Sequence, residues 1–190
     1  DLVDYVENPE KTVKSGSQGF FNVFSYTQNP DKTADGQFVT AINCQKDIAL
    51  QQMILTKQRY GKEDGYIAWH GYQSFKSGEV MPEQCHALGV ELARQMWGDR
   101  FQIIVTTHLD KEHLHNHFCI NSVSFRDGGK YNFSKKELKR LRDTSDRLCR
   151  VHGLSVVERP HKAPSRQVWL DEQAGKPTRY NIYRADVQKA

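Results

Sequence analysis

The sequence predicts an α+β fold, an antiparallel β-sheet flanked by helices. Three observations carry that expectation. Short β-prone segments alternate along the chain with segments of helical periodicity. Two of the β-prone segments, 101–107 and 115–125, are joined by a short acidic turn, Asp110 to Glu112, which reads as a hairpin. The helical segments are amphipathic, so each has one apolar side to lay on a sheet.

The elements follow in chain order. Asp1 to Val6 reads as a short helix or the end of one, interrupted by Asn8-Pro9. Phe20 to Tyr26 is aromatic and strand-like, and Asn29-Pro30-Asp31 is a turn. Phe38 to Asn43 is a second short strand. Lys46 to Tyr60 reads as a helix, with Ala49, Met53, Thr56 and Tyr60 on one stripe and Ile48 and Leu55 beside it. Gly61 and Gly65 bracket its exit. Tyr66 to Phe75 is a strand whose faces alternate: Ile67, Trp69, Gln73 and Phe75 against Tyr66, Ala68, His70 and Tyr72.

Pro82 opens a helix through Trp97, with Leu88, Leu92 and Met96 as its seam, Cys85 at its start and Gly98 at its end. The hairpin comes next. On its second strand Phe118 and Ile120 take one face, and His115, His117 and Asn121 take the other. Asp127-Gly128-Gly129 is a turn. Ser134-Lys135-Lys136-Glu137 is a capping box, so a helix runs from there to about Val151, with Gly153 as its stop.

Composition narrows the function classes. At 190 residues the chain fits one domain with a sizeable core. Its 37% hydrophobic content and mean hydropathy of −0.73 exclude a membrane protein. No apolar run reaches the length of a spanning helix, and no signal peptide opens the sequence. Cys44, Cys85, Cys119 and Cys149 stand singly, which suits free thiols in a reducing compartment. The net charge of +4 permits an anionic partner without demonstrating one.

His108-Leu109-Asp110-Lys111-Glu112-His113-Leu114-His115-Asn116-His117 is the chemical centre of the sequence and holds four of the eight histidines. His113, His115 and His117 alternate, so on a strand they share one face. Hairpin closure brings His108 back beside that face. Three imidazoles converging from two adjacent strands make a divalent-metal site open on one side, which points to catalysis rather than to a structural staple. A lone histidine is usually a surface or satisfied core residue, but this density at period two is hard to explain that way. No Cys-x-x-Cys spacing occurs, which disfavours a structural zinc site.

The charge is concentrated in the last helix. Lys135, Lys136, Lys139, Arg140, Arg142, Arg147 and Arg150 stand against Glu137, Asp143 and Asp146, with Leu138, Leu141 and Leu148 on the other side. Arg159, His161, Lys162, Arg166 and Lys176 continue the charge in a proline-marked tail. Such a run is either a solvated face or a track for a phosphate backbone. Tyr131 and Phe133 beside it suit stacking on unpaired bases or, as is commoner, core packing. A metal beside a basic surface suggests phosphodiester chemistry, and a tyrosine nucleophile suits a product that stays attached to nucleic acid.

The stretch His108-x-Asp110-x-x-His113-x-His115-Asn116-His117-x-x-x-Asn121 resembles the third motif of conjugative and mobilisation relaxases of the MobA/MobL (MOB-P) class, in the HUH endonuclease group. Asp4-Tyr5-Val6-Glu7-Asn8-Pro9-Glu10-Lys11-Thr12 resembles the family's first motif. Gln73-Ser74-Phe75-Lys76-Ser77-Gly78-Glu79-Val80 with Pro82-Glu83-Gln84, and Asn121-Ser122-Val123, add supporting segments in the expected order.

The resemblance implies an HUH-type sheet carrying a metal triad of His108, His115 and His117 on its central hairpin. It implies that Tyr5 is the nucleophile and that Asp110 orients a histidine. His113, Asn121 and Glu79 are candidates for supporting roles around the ligands. It implies a relaxase domain over 1–159, followed by a basic tail or the start of a truncated extension over 160–190. Relatives of this kind carry a strand upstream of the tyrosine motif, so such a strand is either missing from this chain or has been removed.

The implied activity is metal-dependent, site- and strand-specific nicking of single-stranded DNA at a transfer origin. It leaves a 5′-phosphotyrosyl adduct, with one Mn, Mg, Zn, Ni or similar divalent ion as cofactor. The implied partners are single-stranded or hairpin origin DNA, relaxosome accessory proteins and a secretion coupling protein. The expected setting is a monomer in the bacterial cytoplasm, encoded on a plasmid or integrative conjugative element. Two alternatives remain: a replication-initiator or transposase nuclease on the same HUH platform, and a non-catalytic metal- and nucleic-acid-binding module.

Overall fold

Among the described residues four strands form one sheet in the order β1-β3-β4-β2, every neighbour antiparallel. They are β1 Val39–Ile42, β2 Ala68–Ser74, β3 Ile103–His108 and β4 His115–Asn121. Among the described residues of the same region the helices are α1 Ala49–Arg59, α2 Pro82–Trp97 and α3 Lys135–Val151, with a 3-10 turn at Lys46–Ile48 before α1. The computed structural model describes residues 33, 36–109, 113–157, 170–171 and 173–176. The elements expected at 1–6, 20–26, 29–31 and 110–112, and the basic residues 159–166, lie outside the described residues.

The β3–β4 hairpin occupies the centre of the sheet. β3 runs Ile103-Ile104-Val105-Thr106-Thr107-His108, and all six residues are buried. This β-branched run suits a strand covered on both faces. On one face Ile103, Val105, Phe118, Ile120 and Ile42 pack against Leu88, Leu92, Met96 and Trp97 of α2 and against Leu141, Leu148 and Cys149 of α3. On the other face Val39, Ala68, Ile104 and Cys119 pack against Ala49 and Met53 of α1. The sheet is therefore the middle of three layers.

The helix ends follow their local chemistry. Ser134 Oγ accepts from the Glu137 N–H at 3.2 Å and caps α3. Gly153, at φ +70°, lets the chain leave α3, with the Leu154 N–H donating to the Cys149 carbonyl. Asn43 takes φ +59° and donates its amide to the carbonyls of Gly98 and Phe101, joining the end of β1 to the α2–β3 turn.

One expectation needs correction. The buried stripe of α1 is Ala49, Met53 and Lys57, while Ile48 and Leu55 are exposed. Residues four apart share a helix face, and the sheet selects the phase that contains the lysine.

The chain divides into two units, Asp1–Val156 and Val157–Ala190. In the second, Ala174 N–H donates to the Leu170 carbonyl and Lys176 Nζ meets Asp171 at 3.3 Å. Among the described residues no helix is long and apolar enough to cross a membrane.

Candidate metal centre

Hairpin register builds the site. His108 pairs with His115 across β3 and β4, and Thr106 pairs with His117. Cross-strand partners point to the same face, so the three imidazoles meet on the face that also carries α1. Each offers a ligand nitrogen, and these atoms all lie within 4.8 Å of one another. Ring centroids are 4.2 Å apart for His108 and His117, 4.9 Å for His115 and His117 and 5.3 Å for His108 and His115. His108 and His117 are buried and His115 is partly exposed, so the cluster opens to one side.

This donor set fits a divalent transition ion. Three neutral imidazoles leave the charge of a bound dication undiminished, which favours an anionic oxygen at the open position. Donor nitrogens this close together would let the three residues hold one ion between them. Further contacts turn the rings. His115 Nδ1 lies 3.2 Å from the His113 carbonyl, and His117 Nδ1 lies 2.8 Å from His70 Nε2. Both contacts engage Nδ1 of the ligand ring. Tyr72 lies opposite His117, and Ser74 opposite His115, on this same face.

A polar chain on the opposite face braces the strands. Thr40 Oγ1 lies 2.7 Å from His86 Nε2, His86 Nδ1 lies 2.8 Å from Thr107 Oγ1, and Thr107 Oγ1 donates to Asn116 Oδ1 at 2.6 Å. Asn116 Nδ2 donates to Gln73 Oε1 and to the Cys85 carbonyl, and Gln73 Nε2 donates to Ser145 Oγ. One direction of donation satisfies every step: Thr40 donates to a neutral His86 whose Nδ1–H donates to Thr107. Burial, and secondarily Lys46, hold the His86 pKa below its ordinary value, in keeping with a neutral ring. The chain crosses all four strands. Thr107 and Asn116 each adjoin ligand histidines in sequence, so slippage of the ligand strands would break it.

The remaining expected site residues fall elsewhere. Tyr5 and Asp110 lie outside the described residues. The His113 ring is exposed, 5.8 Å from that of His115, and its contribution is its carbonyl. Asn121 does share the histidine face, but four residues along the strand. Its Oδ1 accepts from Lys57 Nζ, and its Nδ2 donates to Met53 O and Gln102 Oε1. Glu79 accepts from the N–H and hydroxyl of Ser155, which lowers its carboxyl pKa and ties the β2–α2 loop to the segment after α3.

The basic helix α3 packs on the sheet face opposite the histidines. Arg140 and Arg147 reach back to Gln95 of α2, and Lys139 pairs with Asp143. Lys135 and Lys136 are exposed at its start, and Arg150 is exposed near its end. Tyr131 and Phe133 pack around Trp69, and Trp97 Nε1 donates to the Tyr131 hydroxyl at 3.0 Å. Sequence reasoning gave no role to His70, Thr107 or Asn116. Strand alternation already put His70 and Tyr72 together on one face, but which strand they adjoin was not legible.

Comparison with known proteins defines the class of this domain. Residues 26–154 match the family described as relaxase, MobA/VirD2-like, nuclease domain, and the chain belongs to that family. The Staphylococcus aureus protein rlx is 48% identical over 120 residues, covering 63% of this chain and 38% of that protein. The group II intron-interrupted relaxase LtrB of Lactococcus lactis subsp. cremoris is 26% identical over 200 residues, covering 82% of this chain and 35% of that protein. The chain thus spans little more than a third of these curated relatives. The MobM relaxase domain (MOBV; Mob_Pre), solved bound to a 26-nucleotide oriT DNA of pMV158, shares the fold with a TM-score of 0.52 at 16% identity. That likeness covers 80% of this chain and 94% of the MobM chain.

Proposed function

We propose that this chain is the DNA-nicking domain of a relaxase that cuts one strand at a transfer origin by tyrosine transesterification. The observation that carries the reading is the convergence of His108, His115 and His117 from the two central strands, within 4.8 Å, in a chain of this family. These residues would hold one divalent ion. Imidazole donors suit zinc, nickel or manganese better than magnesium. When bound, the ion withdraws charge from a non-bridging oxygen of the scissile phosphate.

The chain's residues supply the rest. The Tyr5 phenol oxygen attacks phosphorus, the bond to the 3′ oxygen breaks, and that oxygen leaves as a 3′-hydroxyl. The phenolic proton passes to solvent or to a neighbouring base, and solvent returns a proton to the departing 3′ oxygen. The phosphodiester survives as a 5′-phosphotyrosyl ester, so the reverse attack reseals the strand. Asp110 orients a histidine of the triad. The phosphate backbone is met by Lys135, Lys136, Lys139, Arg140, Arg142, Arg147 and Arg150 where the strand passes beyond the metal face. MobM, which shares the fold, was solved with origin DNA, which supports DNA of this kind as the partner. Accessory proteins and a coupling protein complete the proposed assembly, acting with a monomer in the bacterial cytoplasm.

The test is cleavage of origin-derived single-stranded oligonucleotides by chelator-stripped protein, with and without added Mn²⁺ or Zn²⁺, followed by peptide mass spectrometry. Metal-dependent nicking with the nucleotide on the Tyr5 peptide, lost in Tyr5→Phe, is the expected result. An adduct on another tyrosine overturns the nucleophile assignment. Metal-dependent hydrolysis without any adduct overturns transesterification.

A further inference from the structure

We infer that His70 is a positioning residue for the metal centre, holding His117 in the tautomer that offers Nε2 to the ion. The inference rests on the metal reading of the triad and adds a residue on a third strand. His70 comes from β2, whose register with β4 puts His70 opposite Cys119 and Tyr72 opposite His117, all on the histidine face. His70 Nε2 lies 2.8 Å from His117 Nδ1. The two rings are 15° from parallel with centroids 5.0 Å apart, so they meet edge to edge along that contact.

A hydrogen bond between two ring nitrogens needs one proton between them. If His117 coordinates through Nε2, that nitrogen must present its lone pair, so the ring proton sits on Nδ1. His117 Nδ1–H then donates, and His70 Nε2 accepts. An acceptor at the second nitrogen fixes both the tautomer and the rotation of a ligand imidazole. The acceptor here is neutral, where a carboxylate would have brought a negative charge. This outer contact therefore takes none of the ion's charge from the substrate phosphate. His117 is buried and has the shortest ring separations to the other two ligands, 4.2 Å to His108 and 4.9 Å to His115, so its orientation has the most influence on the geometry.

The experiment compares wild type, His70→Phe and His70→Gln. Phe keeps an aromatic ring without a nitrogen, and Gln keeps an acceptor oxygen without the ring. Cobalt(II) affinity is followed by visible absorption, apo-protein folding by thermal melting, and the His117 tautomer by long-range proton–nitrogen-15 spectra. The expected result is a cobalt affinity about 10- to 100-fold weaker for Phe. Gln should stay within a few-fold of wild type. The apo wild-type protein should carry its His117 proton on Nδ1, a signature that shifts in Phe.

Equal affinity in Phe and wild type overturns the inference, as does a Gln variant that falls as far as Phe. If Phe does not fold, the tautomer decides: a wild-type His117 proton on Nε2 overturns the inference and one on Nδ1 supports it. A wild-type protein that takes up no cobalt overturns the metal reading itself and His70's role with it. Loss in Phe alone leaves the triad standing and identifies the contact.

Discussion

Lys57 is 3% exposed, beneath the sheet on α1. Its ammonium donates to Asn121 Oδ1 and, at 3.0 Å, to Ser122 Oγ. Both acceptors are neutral. Burial pushes its pKa from 10.5 down to about 8, with Cys119 raising it and Lys130 lowering it by lesser amounts. Unfolded, the lysine keeps its proton up to about pH 10.5, whereas folded it releases it near pH 8. Between those values the unfolded state binds more protons, so stability rises with pH.

At about 1.4 kcal/mol per decade, the cost of the buried charge is about 3 kcal/mol at pH 7, about 2 at pH 9 and less than about 1 at pH 10.5. Lys57→Met removes that cost but strips Asn121 Oδ1 of a donor, a loss of about 1–3 kcal/mol. The two variants should therefore have similar stability at pH 7. Urea unfolding at pH 7, 8, 9 and 10.5, taken as wild type minus Lys57→Met, cancels the titration of other groups. The difference should rise by about 3 kcal/mol, roughly 100-fold in the unfolding constant, with unchanged urea slopes. A difference that stays flat within about 0.5 kcal/mol, or one that falls, refutes the reasoning.

Further outcomes follow from the same contacts. His117→Ala should weaken zinc or cobalt binding more than about 100-fold, since loss of an outer contact alone costs up to that much, while the circular dichroism of the apo protein is retained. Gly89→Ala would ordinarily help a helix by about 1 kcal/mol, but here the new Cβ would stand 2.4 Å from Asn116 Nδ2, inside a fully bonded network. A loss of about 1–3 kcal/mol is expected, and a melting temperature at or above wild type would refute the tight contact. Lys135→Glu with Lys136→Glu should flatten the salt dependence of single-stranded DNA binding by about 1.4 in log–log slope. Lys139→Glu should do less, because Asp143 already holds that cation. An unchanged slope in the double variant returns the start of α3 to a solvated face.

The local elements were legible because their signals are local. The Ser134 cap with Glu137, Pro82 at the head of α2 and the alternation of His115 and His117 each act within a few residues, and the structure keeps all three. Hairpin register brought His108 to the same face, as strand geometry requires once the turn is short. The rest depends on which surfaces meet. Strand alternation puts Asn121 on the face of the histidines, but a face says nothing of what covers it. α1 covers that end and turns Asn121 into an acceptor for Lys57. The charge of α3 can be read from the chain, yet its layer cannot, and packing against α2 sets it on the side opposite the metal face. Periodicity and motif spacing are enough to specify strands, helices and the imidazole donors, because backbone geometry alone sets them. Only tertiary contact decided that β2 lies beside β4, and with it that His70 meets His117, because strand order is set by burial between segments some 45 residues apart in the chain.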